Sequence, residues 1–334
     1  MNPFLVLLAT TFLSLGADFR LATFQADVTP PIGHPLLASM CPPATSIESR
    51  LWAKGVLLSG GDQPLVIVSV DWCEIRNDAY DRWREALAQA AGTTRERVLV
   101  SSIHQHDTPL ADLAAQRILE ARGITANVID LAFHEATVKR VADAVARARS
   151  KLQSVTHFGL GQAPVAKIAS NRRYLGPDGK PRYDRGSATR NAYAVAAPEG
   201  TIDPAVKALS FWQGDRPVVV LYSYATHPMS FYRTGRINPD FPGIARARMQ
   251  KEFPDARHIY FSGAAGNVTA GKYNDGLPPN RPVLAQRLFD GMRQAWAATE
   301  RQRLTKVGFR SAQLSFKPRE TGGYARADLE QKLQ

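Results

Sequence analysis

The chain has 334 residues, 44% apolar and 22% charged, a composition that supports a sizeable buried core and excludes a disordered polymer. Its 42 Lys and Arg against 30 Asp and Glu leave a net charge of +12, spread along the chain rather than gathered in one run. That surplus reads as a solvated basic surface and keeps an anionic membrane surface open as a partner; with no nucleic-acid motif beside it, nucleic acid ranks last.

Residues 4–17 form an apolar run without a charged side chain. The run is shorter than the roughly 20 residues a membrane span needs, and its small-residue end reads as a secretory signal, so a secreted or periplasmic protein is expected. Residues 24–33 read as a short strand ending in the turn of Pro30-Pro31 and Gly33. The apolar stretches 53–58 and 65–70 flank Gly60-Gly61-Asp62 and predict a hairpin. Trp83, Leu87 and Ala90 share a helical face over 78–91, with Gly92 as the stop. A buried-type strand follows at 97–102, a long amphipathic helix at 128–149 and a strand at 155–160. Residues 171–203 are rich in Gly, Pro, Arg, Tyr and Asp and read as a long functional loop. A second strand pair at 206–212 and 218–224 surrounds Gly214-Asp215. Then come a helix at 242–252, a strand at 257–262, a glycine-rich loop at 263–276 and a helix at 282–299. The alternation predicts an α/β (mixed α+β) fold, a mixed β-sheet core flanked by helices, with no internal repeat. Residues 326–334 read as the opening of a helix without a cap, as expected of a chain cut short.

Cys41 and Cys73 form no Cys-x-x-Cys pair, which excludes a thiolate zinc cluster; a disulfide and two buried thiols both stay open. Three polar clusters follow predicted strands, where α/β sheets place their ligands. The first is Ser101-Ser102-Ile103-His104-Gln105-His106-Asp107. His-x-His at a strand end puts both imidazoles on one face, a pattern suited to a metal or hydrolytic centre, and Asp107 is placed to orient one of them. The second is His227, closing an apolar strand before Pro228. The third is Gly263-Ala-Ala-Gly266-Asn267-Val-Thr269-Ala-Gly271, whose small residues allow close backbone approach to a ligand, with Asn267 as a substrate-binding candidate. It lacks the Gly-Lys-Ser/Thr ending of a nucleotide loop. Asp71, at the end of the 65–70 strand, is a further catalytic candidate; a helix or turn cap is its simpler reading. His34, His134, His157 and His258 read as structural.

Taken in order, the motifs resemble the N-terminal domain of the neutral/alkaline non-lysosomal ceramidases. They are Ala26-Asp-Val-Thr-Pro-Pro-Ile-Gly33, Val-Ser-Val-Asp71, Ser-Ser-Ile-His104-Gln-His106, Asn171-Arg172-Arg173 and Ile202-Asp-Pro204, followed by Tyr-Ala-Thr-His227-Pro, Asp240-Phe-Pro-Gly243 and Gly263-Ala-Ala-Gly266. The resemblance covers most of residues 20–316. It implies a Zn2+ hydrolase in which His104 and His227 hold the metal and His106 assists catalysis. Arg172 and Arg173 fall in the segment that contacts the polar head of the substrate. The resemblance also implies a glutamate and a tyrosine ligand from a segment later than residue 334, and a serine where this chain has Thr269. On this reading residues 1–17 are a signal peptide and residues 20–334 the N-terminal hydrolase domain, lacking its C-terminal part. The expected reaction is metal-assisted hydrolysis of an amide or related bond in a small-molecule or lipid-like substrate. His106 would be the base or oxyanion partner, and Thr269 would position water or substrate. The competing reading is a non-catalytic binding module for glycans or lipid headgroups on the same cleft.

Overall fold

The computed structural model describes residues 18–332; the expected leader over residues 1–17 lies outside them. The first half builds strands β1 (Arg20–Asp27), β2 (Trp52–Ser59), β3 (Leu65–Val70) and β4 (Val98–Ser102). Strands β2 and β3 form the expected hairpin. Helix α1 (Asn77–Ala91) then returns the chain so that β4 lies parallel to β3. Gly92 ends α1 in the left-handed region at φ 70°, which glycine adopts without a Cβ clash, and its N–H reaches back to Ala88 and Gln89. Helix α2 (Leu113–Ala121), which the apolar pattern does not announce, starts where the Asp112 carboxylate accepts from the Ala115 N–H. Helix α3 (Leu131–Arg149) is capped in the same way by Asp130, and the two-residue strand β5 (Gln153–Ser154) closes the sheet in the order β4-β3-β2-β1-β5.

The second half repeats this plan. Strands β6 (His157–Pro164), β7 (Ala205–Gln213), β8 (Arg216–Tyr224) and β9 (Arg257–Ser262), with β10 (Glu300–Arg303), make a sheet in the order β9-β8-β7-β6-β10. Again the hairpin strands are antiparallel, a helix follows, α4 (Asp240–Glu252), and the next strand returns parallel to the second hairpin strand. Helix α5 (Asn280–Ala297) leads to the last, short strand. The sequence shows no repeat, yet the topology is duplicated.

Strand alternation sorts the side chains into layers. Val66, Val68 and Val70 pack on Trp83 and Leu87 of α1 and on Val138, Val141 and Val145 of α3. Leu65 and Ile67 face the other sheet and meet Phe211, Val219, Leu221 and Ile259. Behind the second sheet, Val220, Tyr222 and Tyr260 cover Leu284, Leu288 and Met292 of α5 and Met249 of α4. The result is helices, sheet, sheet, helices. Each large side chain in these layers stabilises by about 1.5–3 kcal/mol on burial. Polar bonds knit the sheets where their strands end: Ser69 Oγ donates to the Tyr260 carbonyl (2.6 Å) and Ser262 Oγ to the Ile103 carbonyl (2.7 Å). No helix among the described residues is long and apolar enough to cross a membrane.

The 171–203 loop holds only short pieces of structure, among them a helical turn at Ala192–Ala196. It is organised by Arg185, fully buried, whose guanidinium donates to the carbonyls of Asn171, Ala194, Ala197, Pro198 and Glu199. Five carbonyl oxygens replace the water a buried cation gives up.

Candidate metal centre

Strand β4 ends at Ser102, but its ladder runs on: the Ile103 N–H donates to the Val70 carbonyl and the His104 N–H to the Trp72 carbonyl, both at 3.0 Å. At His104 the backbone turns into the left-handed region, φ 83°, uncommon for a residue with a Cβ. Strand alternation predicts His104 and His106 on one face. They do meet, but through this turn, since the strand is already over. His227 arrives from the other half, three residues past β8, its N–H held by the Val268 carbonyl (2.8 Å).

The three imidazoles converge edge to face. Ring centroids are 5.3 Å apart for His104 and His106, 4.7 Å for His104 and His227, and 5.0 Å for His106 and His227. His227 Nε2 and His106 Nε2 are 3.0 Å apart. Nδ1 of His104 lies 3.0 Å from the Cys73 carbonyl. A carbonyl only accepts, so Nδ1 carries the proton and Nε2 keeps its lone pair. The Glu74 carboxylate stands 3.6 Å from the same Nδ1. Burial, with help from His104 and the Arg172 cation, pulls the His106 pKa down to about 4. Burial and the charges of His104, His106 and Arg172 take His227 to about 2. Both rings are therefore neutral at neutral pH, the form that ligates a metal. The Tyr232 ring packs edge-on against His106 at 4.9 Å.

This donor set fits a divalent ion with a preference for nitrogen. Around a tetrahedral zinc with Zn–N bonds of about 2.0–2.1 Å, the centroids of two ligating imidazoles stand about 5 Å apart, close to the 4.7 Å of His104 and His227. A tight cluster of donor atoms also joins Cys73 to His104 and His106, all within 4.8 Å. Cys73 is the weaker ligand: it is fully buried, burial pushes its thiol pKa well up, and its sulfur faces His104 Nδ1 (3.5 Å), the nitrogen already bonded. Several buried polar atoms have no partner among the described residues, including His106 Nδ1, Arg172 Nε, Thr226 Oγ1 and the Gln105 amide. The first two belong to the cluster itself.

The chain matches the family model described as neutral/alkaline non-lysosomal ceramidase, N-terminal, over residues 21–274. It belongs to that family. Among solved structures it is similar to the neutral ceramidase from Pseudomonas aeruginosa, with 18% identity, a TM-score of 0.64, and coverage of 84% of this chain and 45% of that one. A structure described as ceramidase complexed with C2 gives 17% identity, a TM-score of 0.63 and coverage of 84% and 44%. The chain thus spans less than half the length of the ceramidases it resembles. A comparison with curated proteins finds no match.

With the ceramidase fold in place, the candidate residues separate. Arg172 joins the histidines, its N–H held by the Asn267 carbonyl (2.7 Å). Arg173 is exposed, its guanidinium 5.9 Å over the Tyr183 ring, and Asn267 contributes its backbone while its side chain is exposed. Asp71 is corrected. It is fully buried, its carboxylate gripped by Arg246 of α4 at 2.6 and 2.7 Å and by the Trp52 N–H at 2.9 Å, which makes it a clasp between the halves. Thr269 has backbone partners of its own. Its hydroxyl is buried, donates to the Gly186 carbonyl (2.7 Å) and accepts from the Gly271 N–H, so it ties the long loop to the glycine-rich loop. Asp107 accepts from the backbone and hydroxyl of Thr234 rather than from a histidine. Cys41 and Cys73 are free buried thiols. Sequence reasoning missed the Cys73 carbonyl, Glu74 and Tyr232. The first two lie two and three residues past the Asp71 strand end, which is the signal that could have found them.

Proposed function

We propose that this chain carries part of the active site of a zinc-dependent, ceramidase-type hydrolase that cleaves an amide or related bond in a lipid-like substrate. The observation that carries the proposal is the convergence of His104, His106 and His227, brought together from two halves of the chain with Arg172 beside them. His104 and His227 would hold the ion. The carbonyl behind Nδ1 fixes the His104 ring in the way ligating histidines are fixed, whereas His106 Nδ1 has no partner to orient it. Zinc bound there would supply a Lewis acid and lower the pKa of water. His106, neutral and within reach, accepts the proton of the attacking water at a ring nitrogen. Arg172 donates to the oxygen on which negative charge grows. Tyr232 packs on His106 and limits its rotation. A ceramidase of the same fold, solved in complex with C2, supports a ligand-binding cleft of this kind. Further metal donors come, on this reading, from outside the described residues, because zinc sites have three or four protein ligands.

Elemental analysis of the purified protein tests the proposal. About one zinc per chain is expected of a form that also carries those further donors, with loss of most of it in His104→Ala and in His227→Ala of that form. Unchanged metal content in both variants would sink the assignment. The alternative is a binding module, and the buried Thr269 hydroxyl favours it, since no free hydroxyl stands where the resemblance expects one. Binding of lipid headgroups without chelator-sensitive turnover of any N-acyl amide would select that alternative. Residues 1–17 are proposed to direct export, which N-terminal sequencing of the mature protein tests: an intact Met1 would refute it.

A further inference from the structure

Residues 304–325 carry no helix or strand, yet their first part is held in place. Leu304 and Val307 pack on the layer between the sheets, and the Leu304 N–H donates to the Thr156 carbonyl (2.8 Å). Phe309 lies under the guanidinium of Arg97, 4.9 Å from ring centroid to cation. Arg97 is the residue immediately before β4. That strand is the outermost of the first sheet, bonded to β3 on one side and to no strand on the other among the described residues. Beyond Phe309 the chain reads Arg310-Ser311-Ala312-Gln313-Leu314-Ser315-Phe316. Polar and apolar residues alternate there with the period of a half-buried strand. Nothing covers the apolar side: Leu314 is 74% exposed and Phe316 88%.

Beside β4 the two sheets diverge and leave an open groove of about 940 Å³, with Ile67, Leu99, Leu160, Leu209 and Phe261 among its walls. Val98 and Val100 of β4 point toward the helices, and Leu99, half-exposed, points into this groove. An unpaired strand edge beside an apolar groove is a template for one more strand.

We propose that residues 311–316 are that strand. Leaving their exposed placement, they move to pair parallel to Val98–Ser102 and lay Ala312, Leu314 and Phe316 into the inter-sheet groove. The direction follows from the approach: the chain reaches β4 at its first end, beside Arg97, and continues. The facing follows from alternation, since the apolar set must join Leu99 while Ser311, Gln313 and Ser315 stay on the wetter side. Because β4 runs within two residues into His104, the added strand braces the turn that presents this imidazole.

Two measurements test the pairing. Leu99→Cys is combined in turn with Ala312→Cys, Leu314→Cys and Phe316→Cys, and each protein is oxidised with diamide. An intramolecular disulfide is expected in at least one pair. Hydrogen exchange across residues 98–102 is expected to be about tenfold faster in the Leu314→Asp, Phe316→Asp double variant than in the unaltered protein, and unchanged in Gln313→Asp. Circular dichroism keeps the comparison to variants that fold. A disulfide found only between chains would assign the edge to a second copy and overturn the proposal. So would identical exchange in the double variant.

Discussion

The two halves of the molecule share a topology and divide the chemistry unequally. Val70 pairs with Ser102 at the end of one parallel pair, and Tyr224 with Ser262 at the end of the other. Counting on from those pairs, Cys73 corresponds to His227, His104 to Ala264 and His106 to Gly266. The first half therefore supplies two imidazoles from the turn after its outer strand and a carbonyl from just past its hairpin strand. The second supplies one imidazole from its hairpin strand and only small residues from its outer strand. The first half brings most of the donors, and the second adds His227 and otherwise small residues. The clasp is one-sided too, since Asp71 corresponds to Ala225.

The largest effect is expected from breaking that clasp. Arg246→Ala leaves Asp71 buried without its partner and should cost about 3–5 kcal/mol in urea unfolding. An Arg246→Ala protein as stable as the original would mean that the halves are held together elsewhere.

Acid comes next, and it should act on both halves alike. Each half buries a neutral histidine behind its sheet. His134 Nε2 accepts from Trp83 Nε1 (3.1 Å), and burial brings its pKa to about 4. His258 lies between the Tyr222 hydroxyl and the Phe253 carbonyl, and burial brings it to about 4 as well. Both values lie below that of the unfolded chain, about 6.5, so the unfolded state takes up protons first. The stability these rings contribute is complete above pH 6.5 and is lost as pH falls toward 4, by roughly 3 kcal/mol for each. Thermal melts of His134→Gln and His258→Gln between pH 4 and 7 should each flatten this slope; an unaltered slope in both would refute the account.

Writing the first half into the second sharpens the comparison further. Gly263 corresponds to Ile103, and a Cβ there would lie 3.1 Å from the Ala225 Cα. Gly263→Ile should cost about 1–3 kcal/mol by overpacking, read from the urea midpoint. Gly266 corresponds to His106 but stands in open space, with nothing within 4 Å of where a Cβ would lie. Gly266→His should therefore change stability by less than about 0.5 kcal/mol, the smallest effect of the series. A large loss at Gly266 with none at Gly263 would reverse the picture of which small residue is packed and which is open.

Much of this architecture is legible in the residues themselves. Both hairpins, the helices of the 77–91 and 131–149 regions and the strands that end in Ser102 and Tyr224 follow from period and turn chemistry, because local sterics and one-sided burial act over a few residues. His104, His106 and His227 stand out because a His-x-His pair and a histidine before proline each follow a predicted strand, where α/β sheets place their ligands. Asp71 offers a carboxylate at a strand end, but its partner Arg246 is 175 residues away, beyond what spacing along the chain can show. The partner of the Thr269 hydroxyl is equally distant, a carbonyl 83 residues back. Helix α2 is hidden because only Leu113 and Gln116 of its nine residues are buried, too few for a clear stripe.

By itself the sequence determined most of the elements, the family motifs and the three candidate imidazoles, since these depend on residue type and on spacing along the chain. Only the tertiary structure decided which polar groups face one another. It set His227 against His106, gave His104 its carbonyl anchor, turned Asp71 inward to Arg246 and paired two sheets of the same topology. The reason is physical: a buried polar side chain takes its role from the partner that replaces water, and that partner is chosen by packing across the core rather than by neighbours in sequence.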